Sequence, residues 1–260
     1  MAKDIIDNYR DLPLGKYEEL VRLCREEMND VDRKVAIIAV LTGLTEDEVL
    51  RLPLTTFTDY SAKSRFIENK CPDNLIPAVA KSYPYGGFNL VPANDIRKIT
   101  AAQFIDFQTF SEDKQNKVPE LLSCLLVPKG LEYNEGYDIM EVHAALREEM
   151  SVAEALSLLA FFFQRVDAIS SQYPILFGKN RKKAEESGDE EGDDGEDSGD
   201  SAFHDRWGWI ANVDGVSETM RVSWDHVFGM PAIEFLNVIC YMKDKAEDRK
   251  VQIEKWKKEN

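Results

Sequence analysis

The chain has 260 residues, of which 43% are hydrophobic, and its formal net charge is -16. This apolar fraction is enough for a sizeable core, whereas so acidic a balance disfavours a general nucleic-acid binder, because phosphate contacts need clustered lysine and arginine. Apolar runs such as Leu158 to Phe163 are too short to cross a membrane, and the charged N-terminus is unlike a secretory signal. We therefore expect a soluble cytoplasmic protein with protein partners, no nucleic acid and no membrane.

Much of the negative charge lies in one tract, Glu185 to Asp200, which contains ten acidic residues and otherwise only glycine and serine. Such a tract buries no apolar surface and repels itself, which predicts a disordered acidic linker over residues 179–201. The linker would separate an α-helical domain, residues 1–178, from a C-terminal helical segment, residues 202–260.

The first elements of the chain are predicted to be short helices in quick succession. Apolar spacing predicts helices over Tyr17 to Met28 and Val31 to Leu41, the second ended by Gly43. Thr45 and Glu48 form a capping box that begins a third helix. A DNA-reading helix-turn-helix is the alternative interpretation, but the third helix begins with acidic residues where DNA contacts need basic or amide side chains. Packing is the favoured role.

The middle of the domain mixes helices with one turn-rich stretch. A helix is predicted over Phe57 to Ile67, and a small β-hairpin over Tyr83 to Ile99. Thr100, followed by Gln103, begins an aromatic helix that carries Phe104, Phe107 and Phe110. A further helix is predicted over Lys117 to Val127, and another from Asp138.

The most apolar helix is predicted over Ser151 to Val166, where Ser151 and Glu154 form a capping box. Because it is apolar almost all round, we expect other elements to enclose it. Beyond the linker, the segment carries Trp207, Trp209 and Trp224, followed by a helix that runs into solvent. The predicted fold class is mainly α, a compact multi-helix domain with a small β-hairpin and a smaller C-terminal helical segment.

No pattern in the chain predicts catalysis. The histidines have no zinc spacing, no HExxH, Walker or nucleophile-elbow pattern occurs, and the cysteines include no CxxC pair, which favours reduced thiols. The residues from Asp194 to Asp205 match the spacing of a calcium-binding loop. Asp205, however, stands where such a loop has a bidentate glutamate, and the residues before Asp194 cannot form the helix that precedes the loop. We therefore expect no enzyme activity, no cofactor and no metal.

Several segments resemble those of a family of small helical phage proteins. They are AIIAVLTGLTEDEVLRLPLTTF, ITAAQFIDFQTF, LLVPKGLEYNEGYDI, SVAEALSLLAFFF and SWDHVFGMPAIEFLNVICYMK. Together they resemble bacteriophage and prophage tail assembly chaperones. The resemblance implies a non-enzymatic role in virion assembly in the host cytoplasm, with transient binding of the tape-measure protein until tail tube protein polymerises around it. It also implies an extended form that recruits tail tube protein.

A partner-binding groove is predicted on this basis, because amphipathic helices bind apolar grooves and large aromatic residues supply much interface energy. The alternative role of the tryptophans is to pin the second part of the chain to the first. The alternative functions are a virion structural or cargo protein retained in the particle and an acidic DNA mimic; self-association is also left open. The predicted groove residues are Phe104, Phe107, Phe110, Trp207, Trp209 and Trp224.

Overall fold

The computed structural model describes residues 4–93, 95–113, 117–177 and 198–259, with the backbone alone at 96 and 198–207. This part of the chain is mainly helical, which confirms the predicted fold class. Within it, no helix combines the length and apolar character needed to cross a membrane. In chain order the helices are α1 (Leu14–Arg25), α2 (Asp30–Thr42), α3 (Glu46–Leu50), α4 (Leu54–Lys63), α5 (Ala101–Ser111), α6 (Val118–Ser123), α7 (Ile139–Glu149), α8 (Val152–Ser170), α9 (Ser198–Met220), α10 (Trp224–Gly229) and α11 (Ala232–Glu259).

The chain forms two compact units. Unit 1 comprises Met1–Pro92 and Thr109–Phe162, and unit 2 comprises Ala93–Gln108 and Phe163–Asn260. Both units therefore contain segments from before and after the middle of the sequence. Of the predicted acidic linker, residues 179–197 lie outside the described residues, and α9 begins directly after them.

The helices at the start of unit 1 begin and end where local side chains predict. The Asn29 side chain accepts the backbone N–H groups of Val31 and Asp32 at the start of α2, and Gly43 ends that helix with a left-handed φ of 65°. Thr45 and Glu48 form the predicted capping box of α3. These contacts satisfy backbone groups that a helix end otherwise leaves unpaired. The helix predicted over residues 57–67 is present as α4, followed by a 3-10 turn over Ser64–Glu68.

A small antiparallel sheet joins two distant parts of unit 1. Strand β1 (Leu90–Pro92) pairs with β2 (Leu126–Pro128), with Val91 opposite Val127. Leu90 also exchanges two backbone hydrogen bonds with Tyr83, which forms the first part of the hairpin predicted over residues 83–99, whereas Ile96–Lys98 forms a 3-10 turn instead of a second strand. The helix predicted over residues 117–127 is longer than the observed one, because α6 ends at Ser123 and Leu126–Pro128 form β2. Their alternating burial suits a strand, and β1 supplies its backbone partners.

The apolar helix α8 contributes to both units. Its predicted capping box is present, since the Ser151 N–H donates to Glu154 Oε2 and the Glu154 N–H donates to Ser151 Oγ. Leu158 and Phe162 are fully buried. The composition of α8 predicted that other elements enclose it on all sides. The structure differs from this prediction, because Leu156 and Leu159 remain partly exposed. One apolar side of α8 therefore faces open space.

Backbone hydrogen bonds join the start of α5 to the start of α11 in unit 2. Thr100 and Gln103 form the predicted capping box of α5. Ala101, the first residue of α5, donates its N–H to the Met230 carbonyl. Ala232, the first residue of α11, donates its N–H to the Ile99 carbonyl. Residues 243–259 of α11 are exposed, which confirms that this helix runs on into solvent.

Candidate functional site

An open apolar groove of about 730 Å³ lies in unit 1. We call it the α1–α8 groove. Its volume is in the range of small-molecule and peptide sites, and its surface is mostly apolar. Its walls are Tyr17, Leu20, Val21 and Cys24 of α1 together with Leu156 and Leu159 of α8.

The first wall follows from the sequence of α1. Tyr17, Leu20, Val21 and Cys24 repeat at the spacing of one helical face. Leu20 is 2% exposed and belongs to the core, whereas Cys24 at the end of the face is exposed. The same apolar stripe therefore packs the core at one edge and borders open space at the other.

Tyr9 positions the inner end of the groove. Its hydroxyl donates to the carbonyl of Asn69 at 2.7 Å, and its ring meets Phe66 edge-on at 5.0 Å between centroids. Burial, together with the nearby Tyr17 and Cys71, raises the pKa of Tyr9 to about 12. The phenol is therefore neutral at physiological pH and acts as an apolar wall with one satisfied polar atom.

The third side of the groove is the segment after α4. Arg10 holds this segment by donating from Nη2 to the Asn74 carbonyl at 2.8 Å and from Nε to the Leu75 carbonyl at 3.1 Å. Burial raises the pKa of the Cys71 thiol, with a further contribution from Asp73. A thiol with a raised pKa is a poor nucleophile, so Cys71 serves this site as a small apolar side chain.

The rim of the groove is polar. Arg25, Glu68 and Lys70 border the opening. An apolar floor with a charged rim suits a ligand that has one apolar face and a polar outer face, such as an amphipathic helix. Among the described residues, no group of three or more histidine, cysteine, aspartate or glutamate side chains could hold a metal ion.

A buried serine–histidine pair lies elsewhere in unit 1. Ser123 Oγ lies 2.8 Å from His143 Nε2 and also donates to the Glu120 carbonyl at 2.8 Å. This network assigns the proton of a neutral imidazole to Nε2 and leaves the buried Nδ1 without a hydrogen-bond partner. Burial lowers the pKa of His143 and favours that neutral form. Ser123 is only 1% exposed, and no acceptor orients Nδ1, so the pair lacks the features of an activated nucleophile.

An ion-pair network fixes α1 against α6 and α7. Arg147 of α7 donates to Glu18 of α1 at 3.0 Å and to Glu120 of α6 at 2.8 Å. Burial raises the pKa of Glu18, while the hydrogen bond from Arg147 opposes that rise. By anchoring α1, the network holds the first wall of the groove in place. Sequence spacing does not predict this network, because its three members lie in different helices.

Phe110 belongs to unit 1, and the other five predicted aromatic residues belong to unit 2. Phe104 and Phe107 are fully buried. Trp209 is partly buried, with its ring 5.8 Å from Phe104 between centroids and close to Phe177 and Phe235. These contacts favour the alternative role of the tryptophans, which is to pin the second part of the chain to the first.

The remaining predicted residues differ in exposure. Phe110 is partly buried, whereas Trp224 is 42% exposed and donates its indole N–H to Asp214. The side chain of Trp207 lies outside the described residues, as do residues 194–197 and the side chains of the rest of the calcium-loop match. Partner binding by the six aromatic residues stays a prediction. Sequence reasoning recognised the apolar spacing of α1 but assigned its face no binding role, so it missed the α1–α8 groove.

In comparisons with known proteins, no family profile, curated protein or solved structure matches this chain.

Proposed function

We propose that this protein is a phage tail assembly chaperone that binds an amphipathic helix of the tape-measure protein in the α1–α8 groove. The family resemblance of the sequence segments motivates the choice of client. The observation that carries the proposal is the groove itself, an apolar surface left open between two helices. Its role is non-enzymatic binding in the host cytoplasm.

The groove suits a helix for two physical reasons. The face of α1 and the exposed side of α8 present rows of apolar side chains, which match the rows that an amphipathic helix presents along one face. Burying such side chains stabilises a complex by about 25 cal/mol for each Å² removed from water. A client held in this way would keep its apolar face away from other clients until tail tube protein takes over.

The test is co-purification of the tape-measure protein encoded by the same phage. Leu159→Glu places a charge in a partly exposed wall of the groove, and Leu54→Glu places the same charge at a site that is 79% exposed and outside the groove. We expect recovery of the client to fall at least about tenfold with Leu159→Glu, because a charge in an apolar interface goes unpaired. Leu54→Glu should retain the client.

A second variant separates binding from folding. Cys24→Trp introduces a large ring from an exposed position of α1 into the groove. The proposal predicts loss of the client with an unchanged melting temperature. Client recovery that is unchanged in both groove variants, or that falls only with the folded fraction, would contradict it. Stoichiometric presence of the chain in purified virions would instead support the alternative of a structural or cargo protein.

A further inference from the structure

The last helix of unit 2 continues a buried apolar stripe into solvent. In the first half of α11, Ala232, Phe235 and Ile239 are buried at alternating spacings of three and four residues. Met242 continues the stripe and packs near Gly215 of α9. The same spacing then selects four exposed positions, Ala246, Arg249, Ile253 and Trp256, which we call the exposed stripe.

The exposed stripe has the pattern of a coiled-coil seam. Alternating spacings of three and four place its residues on one side of the helix, where a second helix can pack against them. Ile253 is 53% exposed and Trp256 is 65% exposed. Large apolar side chains at consecutive seam positions gain stability when a partner covers them. The seam therefore offers a docking surface that extends a helix already anchored in unit 2.

The charges beside the seam define the partner. Lys243, Lys250 and Lys257 recur at every seventh residue along one flank, whereas the other carries Lys245, Gln252 and, in the last turn, Glu259. The acidic residues of this half are directed mainly to the opposite side, as with Asp244. Flanking charges in a coiled coil select partners of opposite sign. A partner helix should thus carry glutamate or aspartate beside its own apolar seam.

Two other occupants fit less well. In a parallel pair of identical helices Arg249 would face its own copy, and in an antiparallel pair the flank of Lys243, Lys250 and Lys257 would face the same flank of the second copy, so like charges oppose self-association in either orientation. The acidic tract Glu185 to Asp200 has the complementary charge but contains no apolar residue that could cover Ile253 and Trp256.

We infer that residues 243–259 of α11 form a docking helix for a partner protein that presents an amphipathic helix with an apolar seam and acidic flanks. Apolar contacts at Ile253 and Trp256 supply affinity, and the lysines supply selectivity and orientation. The inference is independent of the α1–α8 groove, which lies in unit 1.

The test uses the full chain and two synthetic peptides of several heptads, measured by titration calorimetry. Both peptides have leucine at the seam positions; one has glutamate and the other lysine at the flanks. We expect the glutamate peptide to bind and the lysine peptide to bind at least about tenfold more weakly. Lys243→Glu, Lys250→Glu and Lys257→Glu combined should reverse this preference, because the flank changes sign.

A matched pair of truncations locates the contact. Ile253→Ala should weaken binding of the glutamate peptide about tenfold. Val251→Ala removes a similar exposed side chain, 43% exposed, from the opposite side of the same helix and should leave binding unchanged. Both variants should melt at the wild-type temperature.

Several results would overturn the inference. These are binding of neither peptide, equal binding of both, or equal effects of the two truncations. Concentration-dependent dimers that Ile253→Ala dissociates would identify a second copy as the occupant. Binding of α11 to phosphatidylglycerol vesicles, with no preference between the peptides, would identify a lipid surface instead.

Discussion

The phenol ring of Tyr9 belongs to the core of unit 1 and also lines the α1–α8 groove. It is 5% exposed, and its hydroxyl has one strong acceptor, the Asn69 carbonyl at 2.7 Å. Because its pKa rises from 10.0 to about 12 on folding, the folded state holds the proton where the unfolded chain has released it. This contribution to folding stability is complete below pH 10 and is lost as the pH rises toward 12.

Tyr9→Phe tests this assignment. At pH 8 we expect the free energy of unfolding of the variant to be about 1 kcal/mol lower than that of the wild type, because the hydrogen bond to Asn69 is lost. At pH 11 the two free energies of unfolding should be nearly equal. The wild type loses about 1.4 kcal/mol of stability for each pH unit above the unfolded pKa, up to the folded pKa. Urea unfolding at both pH values measures it, with the exposed Tyr241→Phe as control. A difference that is the same at both pH values would contradict the assignment.

Trp209 and Trp224 are predicted to respond differently to truncation. Trp209 packs against Phe104, Phe177 and Phe235, whereas Trp224 is 42% exposed. We expect Trp209→Ala to lower the free energy of unfolding by about 3 kcal/mol, since it leaves a cavity among aromatic rings. Trp224→Ala should cost less than about 1 kcal/mol. Equal melting temperatures for the two variants would show that Trp209 is not part of the core of unit 2.

At the scale of elements, the turn before β1 depends on a close approach to α7. Gly86 and Gly87 have φ angles of 56° and 77°, and the Phe88 N–H donates to the Tyr85 carbonyl across them. A Cβ on Gly86 would lie 2.5 Å from the Cβ of Ala145, whereas a Cβ on Gly87 would meet nothing within 4 Å. Both glycines supply the left-handed backbone, but only Gly86 allows the contact with α7.

Alanine substitution separates these two contributions. Gly87→Ala should cost roughly 1 kcal/mol, which is the price of a left-handed conformation for a residue with a side chain. Gly86→Ala should cost about 2 kcal/mol more, because the new methyl group overlaps Ala145. Thermal unfolding of both variants measures the difference. Equal losses would show that the turn does not approach α7 so closely.

The sequence predicts helix ends much better than strand pairing. The capping boxes at Thr45, Thr100 and Ser151 are all present, because each depends only on a partner three residues away. Strand β2 was missed because its backbone partner, β1, lies more than thirty residues earlier in the chain. A short apolar run such as residues 124–127 is compatible with either structure until its partner is known.

At the scale of the whole chain, the candidate site could be predicted only in part. The apolar face of α1 and the apolar character of α8 are both visible in the sequence. Which apolar residues remain open depends on how neighbouring elements pack, as the contrast between buried Leu158 and partly exposed Leu159 shows. The ion pairs of Arg147 that anchor α1 likewise depend on the tertiary fold.

The acidic tract Glu185 to Asp200 is predicted to be dispensable for folding. It contains no apolar side chain, and residues 185–197 lie outside the part of the chain that the structure describes. Replacing it with a neutral glycine–serine linker of equal length should change the free energy of unfolding by less than about 1 kcal/mol. Thermal melting of this variant beside the wild type measures the change, and a larger loss would show that the tract contributes to the fold.

Site-specific photo-crosslinking during phage growth tests whether the α1–α8 groove binds the tape-measure protein. A photoreactive residue at Leu159 would lie in the wall of the α1–α8 groove, while one at Met140, which is 64% exposed on α7, would lie outside it. We expect a covalent adduct with the tape-measure protein from position 159 and little or none from position 140. Equal adducts from both positions, or no tape-measure adduct from position 159, would contradict the assignment of the groove as the client site.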